Sequence, residues 1–335
     1  MRAKIRLAAV AAAVMLGLAP SAAGAGGDPY QRPAKAPEPA HNKSTPARVA
    51  LGKALFFDPR LSGSEWISCA SCHNPALGWA DGLTTGIGDG MKRLPRATPT
   101  IVNIGFTTTL MWDGRAPNLE AQALGPIAAG EEMNQDIPGL IKKLSQFSGY
   151  RAMFDKAYPG EGITDKTIGK ALAAYQRTVL SSESPFDRWR KGDTSAVSDS
   201  AKRGFELFTG KATCATCHEG FNFSDNGFHN IGLKPTGKEP DLGRFGQRKV
   251  ASMRGAFKTP TLRDIALTAP YMHNGIYRTL EEVVEHYDRG GDVQDNLSKD
   301  MKPLHLTAQD KADLVEFMKA LTGEPMQVVV PQLPN

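Results

Sequence analysis

Two copies of the pentapeptide Cys-x-x-Cys-His constrain this chain more than any other feature of its sequence. They read Cys69-Ala-Ser-Cys72-His73 and Cys214-Ala-Thr-Cys217-His218, and they contain every cysteine of the 335 residues. Cys-x-x-Cys-His is the attachment motif of c-type haem, in which two thiols bond to the porphyrin edge and the histidine is the proximal ligand of the iron. The sequence therefore predicts two covalently attached c-type haems, with His73 and His218 as their proximal iron ligands.

Two other uses of paired cysteines explain the pattern less well. A four-thiolate zinc site would use both Cys-x-x-Cys units, but it would not explain a histidine directly after each pair. Four cysteines are too few to staple a chain of this length with disulfides. A content of 41% hydrophobic and 22% charged residues is globular, which excludes wholesale disorder, and the length fits two domains of about 100–200 residues each.

The N-terminus has the features of a secretory signal peptide. Three basic residues precede the apolar run 7–19, and Ala23-Gly24-Ala25 offers a small-residue cleavage site. The run is too short to span a membrane, so residues 1–25 are predicted to be removed in the periplasm, leaving no transmembrane anchor; a retained anchor is the alternative. The segment carries three positive charges and no negative ones, so its removal lowers the formal net charge from +5 to +2. A nearly neutral chain gives no reason to expect a nucleic-acid partner.

The spacing of apolar residues predicts a helical chain with a repeated module. Helices are expected from Pro46 and over 136–149, 164–180, 198–208 and 307–323, and alternating strand patterns are scarce. Gly52-Lys-Ala-Leu-Phe56 precedes the first pentapeptide, and Gly204-Phe-Glu-Leu-Phe208 precedes the second. This repetition predicts two haem modules whose boundary lies within 181–198.

The predicted organisation has five segments. They are a signal peptide (1–25), a proline-rich flexible or extended leader (26–45), a first haem domain (46–190), a second haem domain (191–325) and a tail (326–335). The long connections 74–100 and 219–260 are expected to wrap the haems, because loops of this length are uncommon unless they serve a function.

The sixth iron ligand decides what each haem does, because an open position permits chemistry on a small molecule. No histidine lies between His73 and His218, so the first haem has no distal histidine from its own domain, and methionines remain possible ligands. These candidates are Met91, Met111, Met133 and Met153. For the second haem the candidates are His229, Met253, Met272, His273, His286, Tyr287 and Met301, and spacing does not choose among them.

Several longer motifs resemble the bacterial di-haem cytochrome c peroxidases and the related MauG-type di-haem enzymes. The similarity runs from about Ala47 to Gly323. The motifs are Leu55-Phe-Phe-Asp-Pro-Arg-Leu-Ser62, Pro95-Arg-Ala-Thr-Pro-Thr-Ile-Val-Asn103, Trp112-Asp-Gly-Arg-Ala116, Gly125-Pro-Ile-Ala-Ala-Gly-Glu-Glu-Met-Asn134 and Thr259-Pro-Thr-Leu-Arg-Asp-Ile-Ala-Leu-Thr-Ala-Pro-Tyr-Met-His-Asn-Gly275. The resemblance implies an all-α fold of two cytochrome c-like domains, each with one c-type haem near the domain interface.

The resemblance also implies roles for particular residues. The first haem would be the peroxidatic one, Gln122 and Glu132 would belong to its distal pocket, and Trp112 would lie between the haems as an electron relay. The second haem would transfer electrons. A calcium ion between the domains would be bound by backbone carbonyls of Thr268 and Pro270.

Three positions depart from the pattern of many family peroxidases. Asp89 replaces a distal histidine that caps the resting peroxidatic iron, so we expect the first haem to be open. Ala97 replaces an asparagine that binds calcium, which leaves calcium binding open. Tyr287 replaces the distal methionine of the second haem, as in the MauG-type enzymes, and a phenolate there should favour ferric iron. His286 and the methionines remain rival ligands.

Three functions are compatible with these features. The leading prediction is a periplasmic oxidoreductase of the cytochrome-c peroxidase type, which reduces hydrogen peroxide to water with electrons from a small exported cytochrome c or cupredoxin. The second is a MauG-type oxidase that acts on a protein or organic substrate through high-valent iron. The third is a non-enzymatic electron carrier with two six-coordinate haems. Family members are often dimers, so a homodimer is expected by analogy alone.

Overall fold

The computed structural model describes residues 27–237 and 239–335, and the predicted signal peptide lies outside them. The chain is mostly helical and forms two domains. The α-helices are α1 (Pro46–Phe57), α2 (Cys69–Cys72), α3 (Leu119–Gln122), α4 (Leu124–Ala128), α5 (Ile137–Gln146), α6 (Ser148–Ala157), α7 (Asp165–Gln176), α8 (Pro185–Arg190), α9 (Asp199–Thr209), α10 (Phe245–Arg248), α11 (Leu280–Arg289) and α12 (Ala308–Ala320). None of the helices in the described residues is long and apolar enough to cross a membrane.

The expectation of an all-α fold needs one small correction. Strand β1 (Phe228–His229) pairs in antiparallel register with β2 (Phe257–Lys258). Short 3-10 turns lie outside the α-helices; they are Ala40–Asn42, Pro59–Leu61, Pro75–Leu77, Asp89–Met91, Ile104–Phe106, Cys214–Thr216, Ala251–Met253 and Ile265–Leu267. The two-residue ladder lies inside the predicted 219–260 connection and brings Lys258 beside the second candidate site.

Four of the five predicted helices are confirmed, the fifth is divided in two, and capping explains most of their limits. Thr45, Thr164 and Thr307 each accept a hydrogen bond from the backbone N–H three residues later, as N-cap residues do. The prediction over 136–149 is two helices, α5 and α6, separated at Phe147. The last helix ends at Ala320 rather than near Gly323, whose N–H donates instead to Asp264.

Each domain has its own hydrophobic core. In the first, α1 packs against α7 and α6, with Leu55, Phe154 and Ile168 among the fully buried side chains. In the second, α9 packs against α12, with Phe208 and Phe317 in the core. Both cores form around the helix that precedes a Cys-x-x-Cys-His pentapeptide.

Glycines of the repeated module explain how closely these helices cross. A Cβ added to Gly52 in α1 would lie 1.9 Å from the Ala171 carbonyl oxygen of α7, and one added to Gly204 in α9 would lie 2.0 Å from the Asp313 carbonyl oxygen of α12. Only glycine permits backbones to approach this closely, so the repetition noted in the sequence marks the same helix crossing in both domains.

Replacing Gly204 with alanine should destabilise the protein by about 1–3 kcal/mol or more, because overpacking forces the crossing helices apart. Thermal unfolding of the haem-loaded protein, followed by circular dichroism, would measure the loss. Gly125→Ala is the matched control, because an added Cβ there meets nothing within 4 Å and alanine is the better helix former. Equal melting temperatures for the Gly204→Ala variant and the parent protein would contradict the tight crossing.

The two domains are joined by polar contacts of buried groups. Arg96 pairs with both Asp113 and Asp241, at 2.8 and 2.7 Å. Arg244 donates to the carbonyl oxygens of Asp113 and Gly114. Because these contacts tie the residues beside Trp112 to the second domain, they fix the region between the two candidate sites.

The leader and the tail are packed against the domains. Tyr30 stacks on Phe223 at a ring distance of 5.2 Å, and its carbonyl accepts from Arg263. Asn42 is fully buried. At the other end, the carbonyl oxygen of Asn335 accepts from Gly149 N–H at 2.7 Å. The leader predicted as flexible or extended is therefore held in place over its described part, because its aromatic and amide groups find buried partners.

Candidate functional site

The first pentapeptide lines a large cavity whose walls come from both domains. The cavity has a volume of about 1260 Å³, and its walls include Cys69, Cys72 and His73. Helix α2 presents the two cysteines, and its N-terminus is closed by a reciprocal pair of contacts between Ser68 and Ser71. The walls also include parts of the 74–100 connection.

The histidine of this motif is oriented by the backbone. Its Nδ1 lies 3.2 Å from the carbonyl oxygen of Trp79, a side chain that is only 2% exposed. If Nδ1 carries the proton of this contact, Nε2 keeps the free lone pair that an iron ligand needs. Burial also lowers the pKa of His73, which favours the neutral ring that binds metal.

The second pentapeptide lines a narrower cavity of about 190 Å³ in the second domain, with Cys214, Cys217 and His218 in its wall. The His218 Nδ1 lies 2.8 Å from the carbonyl oxygen of Phe223, which repeats the arrangement of the first domain. Burial lowers the pKa of His218 as well.

These two sets of residues fit c-type haem. All four thiols are free, so neither pair forms a disulfide, and burial raises the pKa of Cys69 and Cys214 to about 12. Each pair lines a cavity together with a histidine whose Nδ1 contacts a carbonyl. Cys69, Cys72 and His73 would hold one haem, and Cys214, Cys217 and His218 would hold the other.

Trp112 lies between the cavities and lines both of them. Its Nε1 donates to the carbonyl oxygen of Ala97 at 2.8 Å, and its ring is 6.4 Å from that of His273. His273 in turn stacks on Phe257 at 3.5 Å. The structure therefore connects the two candidate haem sites by a short series of aromatic rings.

Glu132 and Gln122 both lie in the wall of the first cavity. Burial raises the pKa of Glu132, a shift that the positive charge of Arg115 opposes and the negative charge of Glu131 reinforces. The Gln122 amide contacts the Met111 sulfur at 3.6 Å. A half-buried carboxyl beside the candidate haem site can accept and return a proton, which is what general acid–base catalysis requires.

The two positions that depart from the family pattern near this cavity have other contacts. Asp89 is not among the lining residues; its carboxylate accepts from Ser64 and Asn134. Ala97 has no side-chain oxygen; its N–H donates to the His273 carbonyl and its carbonyl accepts from Trp112. Thr268 lies beside Gly78 of the first domain, so the predicted calcium position is at the domain interface but lacks a side-chain ligand at 97.

The rival ligands of the second haem are separated by the structure. Tyr287 lines the second cavity together with His229, Met272, His273 and Met301. His286 does not line it: its Nε2 lies 2.8 Å from the Ile231 carbonyl oxygen, and its Nδ1 lies 2.9 Å from the Tyr277 hydroxyl. Both ring nitrogens of His286 are therefore engaged with protein groups, and Met253 is also absent from the cavity wall.

The methionines near the first cavity divide in the same way. Met111 and Met133 line it, whereas Met91 is 75% exposed and Met153 packs at the edge of the first core. Met111 already contacts Gln122. The cavity wall therefore contains two of the four methionine candidates.

Sequence reasoning missed Lys258 and the pair formed by His229 and Asp225. Lys258 lines the second cavity, and burial lowers its pKa to about 8. The His229 Nε2 lies 2.8 Å from a carboxylate oxygen of Asp225, and that carboxylate raises the pKa of His229 to about 10. The only sequence signals were the position of Lys258 directly before the Thr259 motif and the spacing of four residues between Asp225 and His229.

Comparison with family models divides the chain in two. The model described as di-haem cytochrome c peroxidase matches residues 46–195, and the model described as cytochrome c matches residues 201–322.

Three relatives with established names are similar over most of their length. The methylamine utilization protein MauG of Methylorubrum extorquens is 49% identical over 91% of this chain and 86% of that protein. The cytochrome-c peroxidase IdrP1 of Denitromonas iodatirespirans is 38% identical over 99% of this chain and 96% of that protein. The cytochrome c551 peroxidase of Pseudomonas aeruginosa is 37% identical over 85% of this chain and 81% of that protein.

Two solved structures share the fold. A MauG-like protein associated with microbial copper homeostasis superposes with a TM-score of 0.81 at 33% identity, covering 88% of this chain and 94% of that chain. The di-haem peroxidase BthA of Burkholderia thailandensis has a TM-score of 0.74 at 24% identity, covering 84% and 87%. The second likeness concerns the fold alone.

Proposed function

This chain belongs to the di-haem cytochrome c peroxidase family, whose members include MauG-type enzymes, and we propose that it reduces hydrogen peroxide to water in the first cavity. The electrons would come from a small exported cytochrome c or cupredoxin and would enter through the second domain. We propose the periplasm as the location, because both the predicted signal peptide and haem attachment fit export.

The observation that carries this proposal is the half-buried carboxyl of Glu132 in the same cavity as Cys69, Cys72 and His73. When bound there, a haem supplies the redox chemistry that cleaves the peroxide O–O bond. The Glu132 carboxylate takes the proton from one peroxide oxygen and gives it to the other, which leaves as water. Two electrons and two further protons convert the remaining oxygen into a second water. Gln122 lines the same space and would orient the peroxide.

Trp112 is proposed to couple the two sites, because it lines both cavities. Its indole is held by the hydrogen bond to Ala97, so the ring has a fixed position between them. An electron from the second domain would then reach the first through this ring.

Replacing Trp112 with phenylalanine should slow electron transfer between the haems several-fold and leave the first reaction with peroxide unchanged. The lost hydrogen bond should cost about 1 kcal/mol of stability. Stopped-flow spectroscopy with a pre-reduced second haem would separate the two steps. Trp189→Phe is the matched control, since Trp189 packs on Phe186 away from both cavities. Equal slowing by both variants would contradict the relay.

A second candidate, MauG-type oxidation of a protein or organic substrate, is favoured by Tyr287 in the second cavity. The relative from Methylorubrum extorquens carries the MauG name. In this case the electrons that reduce peroxide come from the substrate rather than from a small redox protein. The chemistry of Glu132 would be the same in both cases.

Steady-state turnover tests the proposal. The haem-loaded protein would be mixed with hydrogen peroxide and a reduced small cytochrome c, and the oxidation of the cytochrome would be followed optically. Rapid turnover with two cytochromes oxidised per peroxide supports the peroxidase. A fast reaction with peroxide but slow cytochrome oxidation supports the second candidate. If the protein does not react with peroxide, both enzymatic candidates fail and a non-enzymatic electron carrier remains.

We propose two haems as the cofactors, and we do not propose that calcium is required. Calcium takes six to eight oxygen ligands, and Ala97 supplies no side-chain oxygen. Carbonyls of Thr268 and Pro270 would need further oxygen ligands, such as water molecules, to bind the ion. We expect the spectra of the two haems to stay unchanged when a calcium chelator is added.

A further inference from the structure

Three loops of the first domain meet at the carboxylate of Asp89. They are the turn 62–65, the loop 86–90 and the loop 129–134, which carries Glu132. Ser64 Oγ donates to Asp89 Oδ1, and Asn134 Nδ2 donates to Asp89 Oδ2 at 3.1 Å. The Asp89 N–H donates to the carbonyl oxygen of Glu132 at 2.6 Å. One residue thus contacts both neighbouring loops, and one of its contacts is the backbone of the proposed proton carrier.

The loops approach closely because two glycines allow it. A Cβ added to Gly88 would lie 1.9 Å from the carbonyl oxygen of Glu131, and one added to Gly63 would lie 2.2 Å from that of Asn134. Gly63 N–H also donates to the Met133 carbonyl at 2.8 Å. The backbone of residues 131–134 is therefore held on two sides.

The side chain of Glu132 has no such support. Within residues 27–237 and 239–335, no group donates a hydrogen bond to its carboxylate. Its position in the cavity must follow from the position of its backbone. Asp89 does not line the cavity and is only 8% exposed.

We propose that Asp89 is a positioning residue that holds the 129–134 loop so that the Glu132 carboxyl lies at the peroxide site. This inference rests on the proposed role of Glu132. It assigns a structural use to a position where the family's capping histidine is absent. In this role the Asp89 side chain connects two loops through its hydrogen bonds with Ser64 and Asn134, and its negative charge is not required.

Two substitutions separate these properties. Asp89→Ala removes both side-chain contacts and should slow the reaction with peroxide about 10- to 100-fold, the size expected for a displacement of about 1 Å. Asp89→Asn can keep both contacts, because its Oδ1 accepts from Asn134 while its Nδ2 donates to the Ser64 hydroxyl oxygen. The asparagine variant should therefore react at close to the parent rate. Equal slowing by both variants would overturn the proposal.

A double-mutant cycle tests whether Asp89 acts through Glu132. In a Glu132→Gln background, Asp89→Ala should change the rate by less than about twofold, because residues that act as one unit are not additive. A separate structural effect would slow both backgrounds equally and would overturn the proposal. Asp136→Ala is the matched control: it removes the N-cap of α5 two residues after Asn134, so it lowers stability nearby without touching the loop contacts.

Cyanide binding keeps this test independent of the proposed function. Hydrogen cyanide must give up its proton when it binds the haem iron, so its binding rate to the first haem reports on the same carboxyl without turnover. Non-additive effects on cyanide binding in a protein that does not react with peroxide would support the positioning role and refute the peroxidase. Additive effects on both reactions would refute the positioning role alone.

Discussion

Replacing Glu132 with glutamine should slow the reaction of the haem-loaded protein with hydrogen peroxide by about 10²–10⁴-fold, the usual contribution of one general acid–base group. Glutamine has nearly the same shape, but it cannot accept the peroxide proton. Binding of the two haems and the melting temperature should be unchanged, because no group of the described chain donates a hydrogen bond to this carboxylate. Stopped-flow spectroscopy after mixing with peroxide measures the effect.

The pH dependence gives a second readout of the same group. Burial raises the pKa of Glu132 above the usual range of a glutamate. Below this pKa the carboxyl is protonated and cannot take the peroxide proton, so the rate should rise with pH through it. The glutamine variant should lack that rise.

The control for both measurements is Glu131→Gln, the same exchange at the exposed neighbouring position. It should keep the parent rate and lower the pKa of Glu132 slightly, because it removes a nearby negative charge. A Glu132→Gln variant that reacts at the parent rate would show that another group moves the proton.

The predicted anchoring of the haems rests on local sequence signals. The thiols and the proximal histidine of each pentapeptide are adjacent in sequence, so their grouping needs no knowledge of the fold. The long helices were predicted for a similar reason, since the spacing of their apolar residues is also a local signal. Helix α11 has a capping box at Thr279. It was not predicted as a helix, although two of its residues, His286 and Tyr287, were predicted as candidate iron ligands.

The sequence alone did not show the direction in which each candidate side chain points. His286 and Tyr287 are neighbours on α11, and successive residues of a helix point about 100° apart. One side chain therefore faces Ile231 and Tyr277 while the next faces the cavity. Asp89 is a similar case: the replacement was visible in the sequence, but its contacts with Ser64 and Asn134 depend on loops that are distant along the chain.

Replacing Tyr287 with phenylalanine should change the spectrum of the second haem and raise its midpoint potential by on the order of 100 mV, since the axial ligand sets much of the potential of a haem. A phenolate donates more electron density than the ligands that could replace it, so its loss favours the ferrous state. Electron paramagnetic resonance of the oxidised protein and a spectroelectrochemical titration would measure both effects. The first haem, with its own cavity, should keep its spectrum.

His286→Gln is the variant that makes this result decisive. Its amide can still donate to the Ile231 carbonyl, although the contact with the Tyr277 hydroxyl is lost, so the protein should lose about 1–3 kcal/mol of stability. If Tyr287 is the ligand, the glutamine variant keeps the spectrum of the second haem and the phenylalanine variant does not. The reverse outcome would identify His286, and it would require α11 to turn so that this ring leaves its two present partners. An unchanged spectrum in both variants would point to Met272 or Met301 in the same cavity wall, and the argument for MauG-type chemistry from Tyr287 would then fail.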